Sequence, residues 1–122
     1  VLELLAEVEI QFLAMAAEPA VEGVIVKVEK LSGFPPMAAD EKTDIMMDAL
    51  LKAGEKTGQS FEFESVGGGS DGSLISSVGT PVIDGCGPVG YMYHTPDEYM
   101  DISSIEERYA LLYEAINILM EK

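Results

Sequence analysis

Pro35 and Pro36 stand side by side, and no helix or ladder-bonded strand can run through them, because each lacks a backbone N–H and has its φ fixed by the ring. With the preceding residues, Ser32-Gly33-Phe34-Pro35-Pro36 reads as a linker that divides the 122 residues into a short leading segment and a longer trailing one. In the leading segment Leu2, Leu4, Leu5, Val8, Ile10, Phe12, Leu13 and Met15 surround Glu3, Glu7 and Gln11 spaced four apart, which predicts a helix over residues 1–18 with a narrow polar stripe. Such a helix wants cover on most sides. After Pro19 and Gly23, the β-branched run 24–29 predicts a strand with Lys27 and Glu29 toward water.

Past the linker, Asp40 or Thr43 can cap a second helix reaching about Thr57, with Ile45, Met46, Ala49, Leu50 and Ala53 on one side and Gly58 as the stop. Phe61-Glu62-Phe63-Glu64 alternates as a strand does. A glycine-rich turn over 67–72 precedes a short helix near 73–78, a strand at 81–83 and an extended stretch at 89–93. In the last segment, Ser103 and Ser104 each have a glutamate three residues on, the pattern of a capping box. Ile105, Tyr109, Leu112, Ile116 and Leu119 form an apolar seam spaced 4,3,4,3. Alternating strands and helices predict an α/β layer with some parallel pairing.

Charge and composition narrow the function classes. Seven Lys+Arg against 22 Asp+Glu give a net charge of −15, which repels phosphate backbones and anionic lipid, so neither nucleic acid nor a membrane surface is an expected partner. The longest apolar run, residues 12–17, falls far short of the roughly 20 residues that span a bilayer. One cysteine, Cys86, cannot close an internal disulfide and suits a reducing compartment, so a cytoplasmic location is expected. The chain begins at Val1, so the lack of a leader pattern there excludes nothing.

Three motifs carry candidate chemistry. Gly67-Gly68-Gly69-Ser70-Asp71-Gly72 satisfies G-x-G-x-x-G between a strand and a helix, but no βαβ unit opens the chain around it and no acidic residue ends a second strand at the required distance. The same residues satisfy G-x-S-x-G, and Ser70, Asp84 and His94 follow the order of an α/β-hydrolase triad. A nucleophile elbow projects from mid-sheet, however, and at most two strands precede Ser70. The competing reading has Ser70 or Asp71 capping the next helix across a tight glycine turn. His94, the one histidine, lies in Tyr93-His94-Thr95-Pro96 at the end of an extended segment, where α/β proteins keep binding and catalytic groups. Its plain alternative is a hydrogen-bonded structural histidine beside the turn carboxylates Asp97 and Glu98, since one imidazole makes no zinc site.

Taken together, residues 67–72, Gly79-Thr80-Pro81-Val82-Ile83-Asp84-Gly85, Gly87-Pro88-Val89-Gly90, His94-Thr95-Pro96-Asp97-Glu98-Tyr99 and the helix start at 102–105 resemble the C-terminal part of the di-zinc aminoacylase/carboxypeptidase family. That family includes glutamate carboxypeptidase, acetylornithine deacetylase and succinyl-diaminopimelate desuccinylase, and Phe34-Pro35-Pro36-Met37 is similar to its return from an inserted lid domain. The resemblance implies a three-layer α/β metallopeptidase catalytic domain, of which residues 32–122 are the C-terminal part. Residues 1–31 are then the last helix and strand of the lid, and a homo-oligomer forms through residues 1–30. It implies a hydrolase for the amide bond of peptides or N-acyl amino acids that uses two zinc ions and a glutamate base. His94 matches the last metal ligand, and Gly67, Gly68, Gly69 and Ser70 lie where the family backbone lines the substrate pocket, in keeping with an amide-rich anion nest.

The pattern departs in two ways. The other ligands and the glutamate base belong to a half upstream of the lid, and nothing in residues 1–63 matches them; no catalytic residue is expected in this chain, which is expected to be inactive alone with an incomplete zinc site. Many members also carry an arginine just before the Pro-Pro step, where this chain has Phe34, and a phenyl ring cannot pair with a substrate carboxylate; Lys30 is the nearest cation able to substitute. The alternative function, from another class, is a non-catalytic assembly module that buries the first helix and the 105–119 seam against another chain.

Overall fold

A computed structural model describes residues 2–31 and 33–121; Val1, Ser32 and Lys122 lie outside it, and with them the first residue of the expected opening helix and the first of the expected linker. The described residues form four helices, α1 (Leu2–Ala17), α2 (Glu41–Thr57), α3 (Asp71–Ser77) and α4 (Ser104–Met120), and one sheet of two short strands, β1 (Gly90–Tyr91) and β2 (Tyr99–Met100). They group into two compact units. One comprises residues up to Ala38 with Gly69–Thr80, the other Ala39–Gly68 with the residues from Pro81 on.

The second unit holds the core, and it is built on α2. Asp40, in extended conformation, caps this helix: its carboxylate accepts the backbone N–H groups of Lys42 at 3.0 Å and Thr43 at 2.9 Å, and the Thr43 hydroxyl at 2.9 Å. Two of the donors that every helix start leaves orphaned are thereby satisfied. Gly58, left-handed at φ 73°, ends the helix and donates to the carbonyl of Gly54. Between these caps Thr43, Ala49, Leu50, Ala53 and Gly54 are buried. Ile45, expected on that face, is exposed.

Helix α4 packs on α2 through Leu111 and Ala115, with Phe61, Phe63, Ile83, Cys86, Leu112 and Ile118 closing around the contact. Small residues at the centre, Ala53 and Ala115, let the two backbones approach closely. Gly54 is close-packed against the segment that follows α2: a methyl group on it would stand 2.7 Å from the Gln59 carbonyl oxygen and 3.0 Å from the Phe61 ring. The Gln59 amide donates to the Thr57 hydroxyl at 3.1 Å and the Glu107 carbonyl at 2.8 Å, and Lys56 pairs with Glu114 at 2.5 Å, so two polar links join α2 to α4 at its rim.

The buried face of α4 is Ser104, Leu111 and Ala115, with Arg108 and Ile118 half-buried, whereas Ile105, Tyr109 and Ile116 of the expected seam are exposed. Both series are spaced 4,3,4,3, one residue apart, so the helix is turned by roughly 100° from the expected orientation. The expected capping box is also absent. Ser103 is helical and its side chain caps nothing, while the Ser104 hydroxyl donates to the Asp101 carbonyl at 2.6 Å and accepts the Val89 N–H at 2.8 Å. Asp101 does the work at this end, accepting from the Ser103 N–H at 2.9 Å and hydroxyl at 2.6 Å.

The strand expectations fare differently. Residues 61–64 alternate in burial as predicted, Phe61 and Phe63 inward in an edge-to-face pair at 5.7 Å and the glutamates out, but they join no ladder; nor do residues 24–29 or 81–83. Alternation sets which face is buried, whereas a strand also needs a neighbour for its N–H and C=O groups, and among the described residues only β1 and β2 pair. The extended stretch at 89–93 narrows to β1, and its pairing with β2 is antiparallel instead of parallel, with Gly90 opposite Met100 and Tyr91 opposite Tyr99.

In the first unit, α1 forms as expected, and Leu4, Ile10, Phe12, Leu13 and Met15 stay exposed; Lys30 pairs with Glu9 at 2.8 Å. Residues 24–29 form no regular secondary structure, with Ile25 95% exposed and Lys27 paired to Glu29 at 3.2 Å. No helix among the described residues is long and apolar enough to cross a membrane.

Candidate functional site

His94 sits in the connection between β1 and β2, a hairpin exposed from Tyr91 to Met100. Packing does not shape this loop, so its hydrogen bonds must. The Met92 carbonyl accepts both the N–H of Thr95 at 3.2 Å and its hydroxyl at 2.7 Å. The Thr95 carbonyl accepts the Glu98 N–H at 3.1 Å, and the Thr95 hydroxyl accepts the Asp97 N–H at 3.3 Å. Glu98 reaches back, its carboxylate accepting the His94 N–H at 3.1 Å. Met92 at φ 59° and His94 at φ 64° are left-handed, the two non-glycine residues with positive φ among those described. The flanking strands carry the tilted ring pair Tyr91–Tyr99 at 5.6 Å.

The chemistry of His94 fits one position in a zinc site: an exposed imidazole on a turn can ligate. Among the described residues no group of three or more His, Cys, Asp or Glu is placed to hold a metal ion. Asp97 and Glu98 belong to the turn, Glu98 through its bond to the His94 backbone.

Ser70 is the N-cap of α3. Its hydroxyl accepts the Gly72 N–H at 3.0 Å and its carbonyl the Ser73 N–H at 2.9 Å, the capping reading of this serine. No residue in 67–72 has a positive φ, so the right-handed/left-handed alternation of an anion nest is not formed there. Gly69 instead lies against Phe34: a Cβ on it would stand 2.7 Å from the Phe34 ring. The structure thus brings together Phe34, at the position where the resembling family often has arginine, and Gly69 of the candidate pocket turn. Composition and spacing carried no signal of this contact. Gly67 and Gly68 fall in the second compact unit with His94, Gly69 and Ser70 in the first with Phe34. Lys30, the alternative cation, is engaged with Glu9. Burial pushes the Cys86 thiol up, against the pull of Arg108, which disfavours the reactive thiolate.

The model for Peptidase family M20/M25/M40 matches residues 6–118, and the chain belongs to that family. Membership supports the α/β fold class expected from the sequence, although the described residues are mostly helical with one small sheet. Among curated proteins, the chain is similar to carboxypeptidase G2 of a Pseudomonas species, 34% identical over 98 residues, which is 79% of this chain and 23% of that protein. It is also similar to succinyl-diaminopimelate desuccinylase of Methylibium petroleiphilum, 36% identical over 64 residues, or 52% of this chain and 16% of that protein. The chain therefore spans less than a quarter of the length of these relatives. No solved structure gives a significant match.

Proposed function

We propose that this chain is the C-terminal part of a zinc-dependent metallopeptidase or amidohydrolase that cleaves the amide bond of peptides or N-acyl amino acids, and that it is inactive alone. The observation that carries this reading is the family match across residues 6–118 together with a single ligand-competent imidazole, His94, on an exposed hairpin loop. His94 is the one metal ligand this part contributes; the remaining ligands and the general base come from an upstream half. Residues 67–70 line the substrate pocket of the complete enzyme, and Phe34, lying on Gly69, gives that region an apolar wall where arginine would have clamped a carboxylate. Residues 1–31 are the end of an inserted lid.

The test is complementation. With zinc added, the chain alone hydrolyses no N-acyl amino acid; combined with the upstream catalytic half of a family carboxypeptidase it gains a zinc-dependent activity that His94→Ala abolishes. EDTA-sensitive turnover by the chain alone, or complemented activity indifferent to His94→Ala, overturns the reading. A second reading, a non-catalytic assembly module, is favoured by the uncovered apolar side chains of α1 and by the outward stripe of Ile105, Tyr109 and Ile116 on α4.

A further inference from the structure

We propose that Glu98 is a positioning residue for His94, holding the histidine backbone in the left-handed conformation that aims its side chain. The inference rests on the reading of His94 as a ligand and goes beyond it in naming what fixes that ligand. Left-handed backbone is disfavoured for a non-glycine residue, and it persists only where the surroundings over-determine it. Here the hairpin is exposed from Tyr91 to Met100, so no core packing imposes it.

The loop bonds divide into two sets. Those of Thr95, to the Met92 carbonyl and from the Asp97 and Glu98 amides, close the turn after His94 and would survive without the Glu98 side chain. Among the described residues it is the Glu98 carboxylate that reaches His94, accepting its N–H at 3.1 Å across four residues. A carboxylate acceptor makes a charge-assisted bond, roughly twice as strong as a neutral one. Its geometry also depends on φ: rotating His94 to an ordinary negative value swings its N–H and its Cα–Cβ bond relative to each other. One bond to the main chain therefore sets the direction of the side chain. Metal–ligand distances lie within about 0.2 Å of standard values, so a ligand on an otherwise unpacked loop benefits from such a brace.

The test uses the 122-residue chain without metal, so that its outcome is independent of ligation. In the unaltered chain, NMR shows a strong intraresidue amide–Hα contact at His94, the mark of left-handed backbone, and a slowly exchanging His94 amide. Glu98→Ala is expected to lose that contact and to speed His94 amide exchange roughly tenfold, the loss of one charge-assisted bond. The cross-strand contacts Gly90–Met100 and Tyr91–Tyr99 persist. Glu98→Gln, which keeps an oxygen acceptor at the same reach, restores the contact, a rescue that a general loosening of the hairpin would not show. Glu98→Asp keeps the charge but falls one methylene short, and loses the contact as Ala does. It decides the matter should the Ala variant also lose the strand pair. Left-handed backbone at His94 in both Glu98→Ala and Glu98→Asp overturns the proposal. Failure of the complementation test with these signatures intact removes the metal role and leaves the brace standing.

Discussion

Asp40 shows how one side chain sets a pH dependence. The Thr43 N–H first, then the Thr43 hydroxyl, hold its carboxyl below the usual range, and bonds from Ser103 do the same for Asp101. A carboxyl with a lower pKa folded than unfolded stabilises the fold at pH above its unfolded value and loses that contribution as pH falls through the folded one. Asparagine caps a helix about as well as aspartate but does not titrate. Asp40→Asn is therefore expected to leave the melting temperature at pH 7 nearly unchanged and to flatten part of its decline below about pH 4, while Asp40→Ala lowers it at pH 7. Circular-dichroism melts across a pH series check this; an unaltered acid limb in Asp40→Asn would refute it. At this scale the sequence is informative where partners are near neighbours. Asp40, Gly58 and Ser70 are all readable as caps, since their partners lie within four residues. The left-handed backbone of His94 is not readable, because histidine carries no such preference strongly enough to announce it.

Helix α4 makes the corresponding point for whole elements. Two 4,3,4,3 series run side by side along it, and the more apolar one, Ile105, Tyr109, Leu112, Ile116 and Leu119, faces largely outward. The buried residues of the other series are Ser104, Leu111 and Ala115, and Leu111 and Ala115 meet Leu50 and Ala53 of α2, where small residues permit a close approach. Hydrophobicity read along one helix cannot weigh that, since the deciding side chains are on another. The two faces separate by mutation. Leu111→Ala, at a residue 2% exposed, should cost about 2–4 kcal/mol, whereas Ile116→Ala, at one 55% exposed, should fall within about 0.5 kcal/mol of the unaltered chain. Denaturant midpoints decide, and equal losses would mean the helix is turned the other way. The stretches 24–29, 61–64 and 81–83 failed as strands for a related reason: their sequences specify extended backbone and, at 61–64, an inward face, but a ladder is a non-local bond.

At the scale of the molecule, a chain with net charge −15 leaves an apolar helix bare. Like charge opposes association and apolar area favours it, so salt, which screens the first, should promote the second. We expect light scattering to show self-association that grows with ionic strength and is lost when residues 1–30 are deleted; the same oligomer in the truncated chain would place the contact elsewhere.

The ring pairs have a spectroscopic consequence. The chain has no tryptophan, and its five tyrosines, at 91, 93, 99, 109 and 113, all lie on the His94 hairpin and α4. Tyr91 faces Tyr99, and Tyr109 stacks on Tyr113 at 6.1 Å. Ultraviolet emission and aromatic dichroism of the unlabelled protein therefore report on those two elements with negligible background from α1. Any event at the hairpin can be followed optically without introducing a label.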